Sequence, residues 1–225
     1  MKNILKLLFA TFLLFQSLCL SAQDEPYFRL GVKAGGNLYT STLKGATKKV
    51  MPGYQIGLTA EYALSETGYL QTEVTFTTKG TVMKGSQSID GGTGKWSERF
   101  NMQYINVPLM MTYKLEIDTD FKAYFRGGLY GAYGIGGKTT LKTEYKGVDT
   151  ENTKTEKDTF GKDGLKKFDA GVRFGTGLEF EKFSVGFDFE YGILDLSRRN
   201  SDLSTLLDDR AYRNKGASLS VGYRF

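Results

Sequence analysis

The stretch "FDAGVRFGTGLEF", Phe168 to Phe180, alternates between two kinds of residue. Phe168, Ala170, Val172, Phe174, Leu178 and Phe180 share one face of an extended chain, and Asp169, Gly171, Arg173, Gly175, Gly177 and Glu179 share the other. Successive side chains of a strand point to opposite sides of the sheet, whereas a helix would mix the two sets around its surface. Segments of this kind must form a sheet with one greasy face and one face of charges and glycines.

The same alternation runs through Tyr27–Gly35, Tyr54–Tyr62, Leu70–Phe76, Tyr104–Lys114, Phe121–Tyr133, Phe183–Gly192 and Ala217–Phe225. The connectors differ by end. "ALSETG", "EIDTD" and "EK" are short, while Asn37 to Met51, Lys79 to Arg99, Gly136 to Lys166 and Asp195 to Asn214 are long and polar, the first three rich in lysine and the last in arginine. This predicts an all-β chain. The expected fold is a closed antiparallel up-and-down transmembrane β-barrel of about eight strands, with short periplasmic turns and long extracellular loops.

A soluble barrel turns its apolar face inward; a membrane barrel turns it toward lipid. Aromatic residues decide the orientation. Phe28, Tyr62, Tyr113, Phe121, Phe180, Phe183 and Phe225 lie on the apolar face beside the short turns, where an interfacial girdle belongs. Tyr54, Tyr133, Phe168 and Tyr191 suit an opposite girdle. The lumen then receives Arg29, Lys33, Arg126, Arg173 and Arg224 together with Glu61, Glu73, Asp169, Glu179, Asp188 and Glu190. Ions of both signs in so narrow a cylinder are expected to pair with one another and plug it. A small-solute channel and a soluble periplasmic lipid-binding barrel are the competing readings.

Residues 1–22 read as a secretory leader, with Lys2 and Lys6, an apolar run and "LSA" before a cut after Ala22, leaving residues 23–225 as the barrel domain. Cleavage would remove Cys19, the single cysteine, and take the formal charge from +5 to +3 (30 − 2 = 28 basic against 25 acidic). So small a surplus argues against nucleic acid as a partner. The chain has no histidine, which excludes Ser-His and Cys-His catalysis. No catalytic, cofactor-binding or metal residues are therefore expected. "AYGIGGKT", Ala132 to Thr139, matches a relaxed phosphate loop, but it continues an alternating strand and no helix pattern follows it. Asp208 and Asp209 are expected to keep a loop solvated. "DGGTGKWSE", Asp90 to Glu98, lacks the acids of a calcium loop. Trp96, the single tryptophan, is expected in an exposed loop, as a contact for a ligand or partner or simply touching the membrane surface.

"YINVPLMMTYKL", "AYFRGGLYGAYGIGG", "FDAGVRFGTGLEFEKFSVGFDFEYGILDL" and "SLSVGYRF" together resemble the PorT-like outer-membrane β-barrel family. Two departures stand out: Asn106 and Val107 precede Pro108 where an acidic "EIP" is usual, and Asp188 and Glu190 occupy a strand that often carries an inward arginine. The resemblance implies a role in secretion or surface assembly. The expected protein is a monomeric barrel in outer-membrane lipid, non-enzymatic, meeting an unknown protein or surface ligand through its long loops.

Overall fold

The computed structural model describes residues 27–42, 47–89, 92–146, 152–161, 164–198 and 211–225. The leader and the pair Asp208 and Asp209 lie outside these residues. Ten strands are formed: β1 (Phe28–Ser41), β2 (Thr47–Ala63), β3 (Gly68–Ile89), β4 (Gly92–Asp118), β5 (Phe121–Gly136), β6 (Lys138–Lys146), β7 (Thr153–Asp158), β8 (Phe168–Phe180), β9 (Phe183–Gly192) and β10 (Asn214–Arg224). Each pairs antiparallel with its neighbours. The ring β1-β2-β3-β4-β5-β8-β9-β10 closes where β10 meets β1, so these eight strands form a barrel.

Period-two burial follows the sequence alternation. Leu129 is 64% exposed and Phe187 50%, while Arg173, between them in the sheet, is 0% exposed. The apolar face points outward and the ionic face points into the lumen. At one end the strands join through residues 64–67, 119–120 and 181–182. The last of these turns has only two residues, and Glu181 takes the left-handed conformation (φ 50°) that such hairpins favour.

The opposite end differs from expectation. Asn37–Met51 and Lys79–Arg99 are mostly strand, not loop. β3 and β4 pair without interruption from Thr75↔Asn106 up to Ile89↔Gly92. The segment expected as the largest loop, Gly136–Lys166, contains β6 and β7. β6 pairs with the upper part of β4 (Phe100↔Thr139 to Thr93↔Lys146), and β7 pairs with β6. Alternation fades here because both faces of a sheet outside lipid can be polar, so the hydrophobic period no longer reports the strand. "AYGIGGKT" runs along β5 into β6 as antiparallel strand.

Candidate functional site

The lumen is crowded by design of the register. Large inward residues sit opposite glycines: Lys33 faces Gly57 and Gly222, Tyr39 faces Gly216, Tyr124 faces Gly177, Arg126 faces Gly175, Tyr130 faces Gly171 and Arg173 faces Gly128. A Cβ on Gly177 would overlap the Tyr124 hydroxyl, and one on Gly216 would overlap the Tyr39 ring. The glycines are the space into which the long side chains fold.

Those side chains form three tiers. Near the short turns, the Lys114 ammonium lies 2.6 Å from Glu61 and 3.0 Å from Glu179, and Arg224 lies 2.9 Å from Glu179. Lys114 also stands 4.3 Å from the centre of the Tyr69 ring.

In the middle, Arg126 grips Asp188 with two donors, Nε to Oδ1 at 2.8 Å and Nη2 to Oδ2 at 2.6 Å. Arg173 donates to the same carboxylate at 2.7 Å, and Lys33 donates to Glu73 at 3.0 Å. Arg126 and Arg173 reach Glu73 at 3.2 and 3.4 Å.

In the upper tier, Glu190 accepts from Lys79 at 2.8 Å, from the Tyr39 hydroxyl at 2.6 Å and from Asn106 at 2.8 Å. Asp169 accepts from Asn214 at 3.0 Å and lies 3.6 Å from Lys79. The Lys79 ammonium is ringed by Tyr130, Tyr39 and Tyr104 at 4.4, 5.2 and 5.4 Å.

Across the tiers Lys33, Lys79, Lys114, Arg126, Arg173 and Arg224 balance Glu61, Glu73, Asp169, Glu179, Asp188 and Glu190. Such equality is what a low-dielectric interior demands, because a single unmatched ion there is costly. A void between the lower and middle tiers measures about 30 Å³, room for a water or two. Sequence reasoning missed Lys79 and Lys114. Lys114 continues the inward parity of Asn106, Met110 and Thr112, and this was the signal available. Arg29, expected in the network, pairs across the sheet with Glu61 and is half-buried beside the lower tier.

Above the ions the lumen turns apolar. Met83, Phe100, Met102 and Tyr104 point inward from β3 and β4. Phe160, Leu165, Leu196 and Tyr212 fold down onto them from the connectors. Phe100 meets Tyr212 with ring centres 5.5 Å apart, and Tyr104 meets Phe160 edge-on at 5.3 Å. Backbone bonds hold this cap in place, from Leu196 N–H to Tyr212 C=O and from Lys166 N–H to Leu196 C=O. Asp195 accepts from the Ser197 and Tyr212 amides at 3.0 and 2.9 Å and from the Ser197 hydroxyl at 2.8 Å. Partial burial works against the Asp195 charge, but these donors outweigh it and hold its carboxyl below the usual aspartate range.

Trp96 is corrected by the same geometry. It belongs to β4, on the inward face of the extension, half-buried against the apolar cluster and opposite Gly85. Strand parity puts position 96 on the inward face with Glu98 and Phe100, and Gly85 across the pair leaves room for the indole ring. The expected girdle residues Phe28, Tyr62, Tyr113, Phe180, Phe183 and Phe225 are exposed on the outer wall, and Phe121 is half-exposed there. Tyr223 stacks edge-on between Phe183 and Phe225, at 5.2 and 5.9 Å. Among the described residues, no group of His, Cys, Asp and Glu is arranged to hold a metal.

Residues 21–198 match the model of the outer membrane protein beta-barrel domain. The chain belongs to that family. It is an outer-membrane protein, and the wall described above is its membrane-spanning part. No curated protein matches it in sequence at a significant level. Solved structures with a similar fold include Ail, the attachment invasion locus protein of Yersinia pestis, at 14% identity and a TM-score of 0.40, covering 89% of this chain and 100% of that one. OprG from Pseudomonas aeruginosa follows at 11% and 0.42, covering 91% and 99%. Neisserial surface protein A stands at 12% and 0.40, covering 87% and 97%.

Proposed function

We propose that this barrel is a non-enzymatic, non-conducting display scaffold, monomeric, which holds a rigid extracellular sheet as an interaction surface in secretion or surface assembly. Residues 1–22 are removed on export and residues 23–225 form the barrel. The observation that carries this reading is the doubly blocked lumen: three tiers of matched ions below an apolar cap. A conduit has no use for both. The absence of histidine from the chain, and the engagement of every lumen carboxylate named above by a cation, support a non-enzymatic role. The finer likeness to PorT-like barrels, carried by strand texture, is what suggests secretion or surface assembly.

Planar-bilayer recordings test the seal. The purified barrel is expected to give a flat trace, and discrete steps of constant size would make it a channel instead. Replacing Lys138–Asp158 by a short turn tests the display role. Insertion and heat-modifiable migration should be retained while surface-partner binding is lost; unchanged binding would move the contact elsewhere.

A further inference from the structure

The sheet that rises from the barrel has two unlike faces. Its inner face carries the apolar cap. Its outer face continues the lipid-facing rows of β3 and β4 beyond the membrane, and there the residues become basic. The register places Thr47, Lys84, Ser97, Lys142 and Lys154 in one row across β2, β3, β4, β6 and β7. The adjacent row runs Lys49, Val82, Arg99, Thr140 and Glu156. Lys84, Arg99, Lys142 and Lys154 line a shallow groove of about 340 Å³ with Val82, Ser97 and Thr140.

The acids on this face do not neutralise it. Glu156 is engaged by Lys138 at 2.9 Å and lies 3.9 Å from Lys154. Asp158 lies opposite Lys138, and Glu144 lies opposite Lys95. Among the described residues, no carboxylate forms a salt bridge with Lys84, Arg99 or Lys142. This contrasts with the lumen, where every named ion is matched. Cations held side by side on a rigid sheet repel one another unless an anion bridges them.

Position selects the anion. Outward residues of β4 run from Leu109 and Val107 through Ile105, Gln103 and Asn101 to Arg99. Six residues separate Ile105 from Arg99, which at ~3.4 Å per residue and a tilt of ~40° is roughly 15 Å of height. The groove therefore faces sideways, with Arg99 roughly 15 Å and the row of Lys84, Lys142 and Lys154 roughly 20 Å above Ile105, at the level of the sugar-phosphate core of a glycolipid and not at the tip of the extension. Basic residues at that depth attract anionic headgroups. We infer that the outer face of this sheet, at Lys84, Arg99, Lys142 and Lys154, docks the phosphates of anionic glycolipid headgroups in the surrounding outer leaflet. The inference uses the membrane placement of the barrel but neither the sealed lumen nor a protein partner.

The test uses the full mature barrel and the variant K84Q/R99Q/K142Q/K154Q, both reconstituted into nanodiscs. One set contains phosphorylated lipopolysaccharide and the other its enzymatically dephosphorylated form; retained glycolipid per barrel is counted by native mass spectrometry. Wild type is expected to retain about tenfold more of the phosphorylated form than the variant. The dephosphorylated form should be retained weakly and equally by both. Equal retention of phosphorylated lipid by wild type and variant, with both showing the folded gel migration, would overturn the proposal. A second arm titrates inorganic phosphate against the detergent-solubilised barrel. Saturable binding there that is lost in the variant, without the nanodisc difference, would assign the groove to a soluble anion and reject the lipid.

Discussion

β3 and β4 pass through two regions with opposite insides. Within the bilayer their outward residues are Leu70, Val74, Leu109 and Met111 and their inward ones include Glu73, Asn106 and Thr112. Above it the outward residues are Lys84 and Arg99, while Met83, Phe100 and Met102 are buried. One pair of strands is thus inverted below and conventional above. Solvent alone explains the exchange: hydrocarbon receives apolar side chains and leaves ions to pair within, while water receives ions and leaves apolar groups to pack within. The pleat supplies both faces at every height, and only the neighbouring phase changes.

The sharpest break of this comparison is to unmatch the ionic interior. Asp188→Leu leaves Arg126 and Arg173 without the carboxylate they share, and should cost about 3–5 kcal/mol. The urea midpoint of the fast-migrating folded band on unboiled gels reads this directly. Next comes the apolar interior. Phe100→Ala should cost roughly 3 kcal/mol by opening a cavity, but locally. Amide exchange at Leu165, Leu196 and Tyr212 should quicken while the gel midpoint barely moves. The outer faces are compared by one substitution at two heights. Leu219→Arg, at mid-wall, should cost about 2–3 kcal/mol, whereas Val82→Arg, above the membrane, should cost less than about 1 kcal/mol, from repulsion by Arg99 and Lys49 on either side of it.

The smallest effect concerns pH. The folded Asp195 carboxyl titrates below its unfolded value, so its stabilisation is complete above the ordinary aspartate range and fades as pH falls through the folded value. Acidification should lower the protection factor of the Tyr212 amide, taken relative to the intrinsic exchange rate at each pH, and Asp195→Asn should remove that acid dependence.

The wall was legible because lipid enforces a strict apolar row outside, leaving Asp169, Arg173 and Asp188 nowhere to go but inward. The extension was not. From Thr78 to Lys84 both rows mix polar and apolar residues, so Lys79 read as part of a loop although it sits at the heart of the upper tier. A weaker trace existed in Phe100, Met102 and Tyr104, which keep the inward parity of Asn106 and announce an apolar lumen above it. Phe160, Leu165, Leu196 and Tyr212 gave no trace. Phe160, Leu165 and Tyr212 are isolated apolar residues in polar sequence, Leu196 follows Ile193 and Leu194 just past the end of a strand, and only the folded barrel brings the four to one mouth. Trp96 misled for a related reason: a lone indole amid glycines and charges suggests exposure, yet Gly85 across the strand pair gives it a bed.

The inversion along β4 can be read by nitroxide scanning of its outward positions, 109, 107, 105, 103, 101 and 99, in the reconstituted barrel. Collision rates with oxygen should be high and with a water-soluble nickel chelate low at Leu109 and Val107, and the two should exchange order before Arg99. Chelate access at Leu109, or oxygen-dominated collisions persisting at Arg99, would contradict a wall that is inverted in lipid and conventional above it.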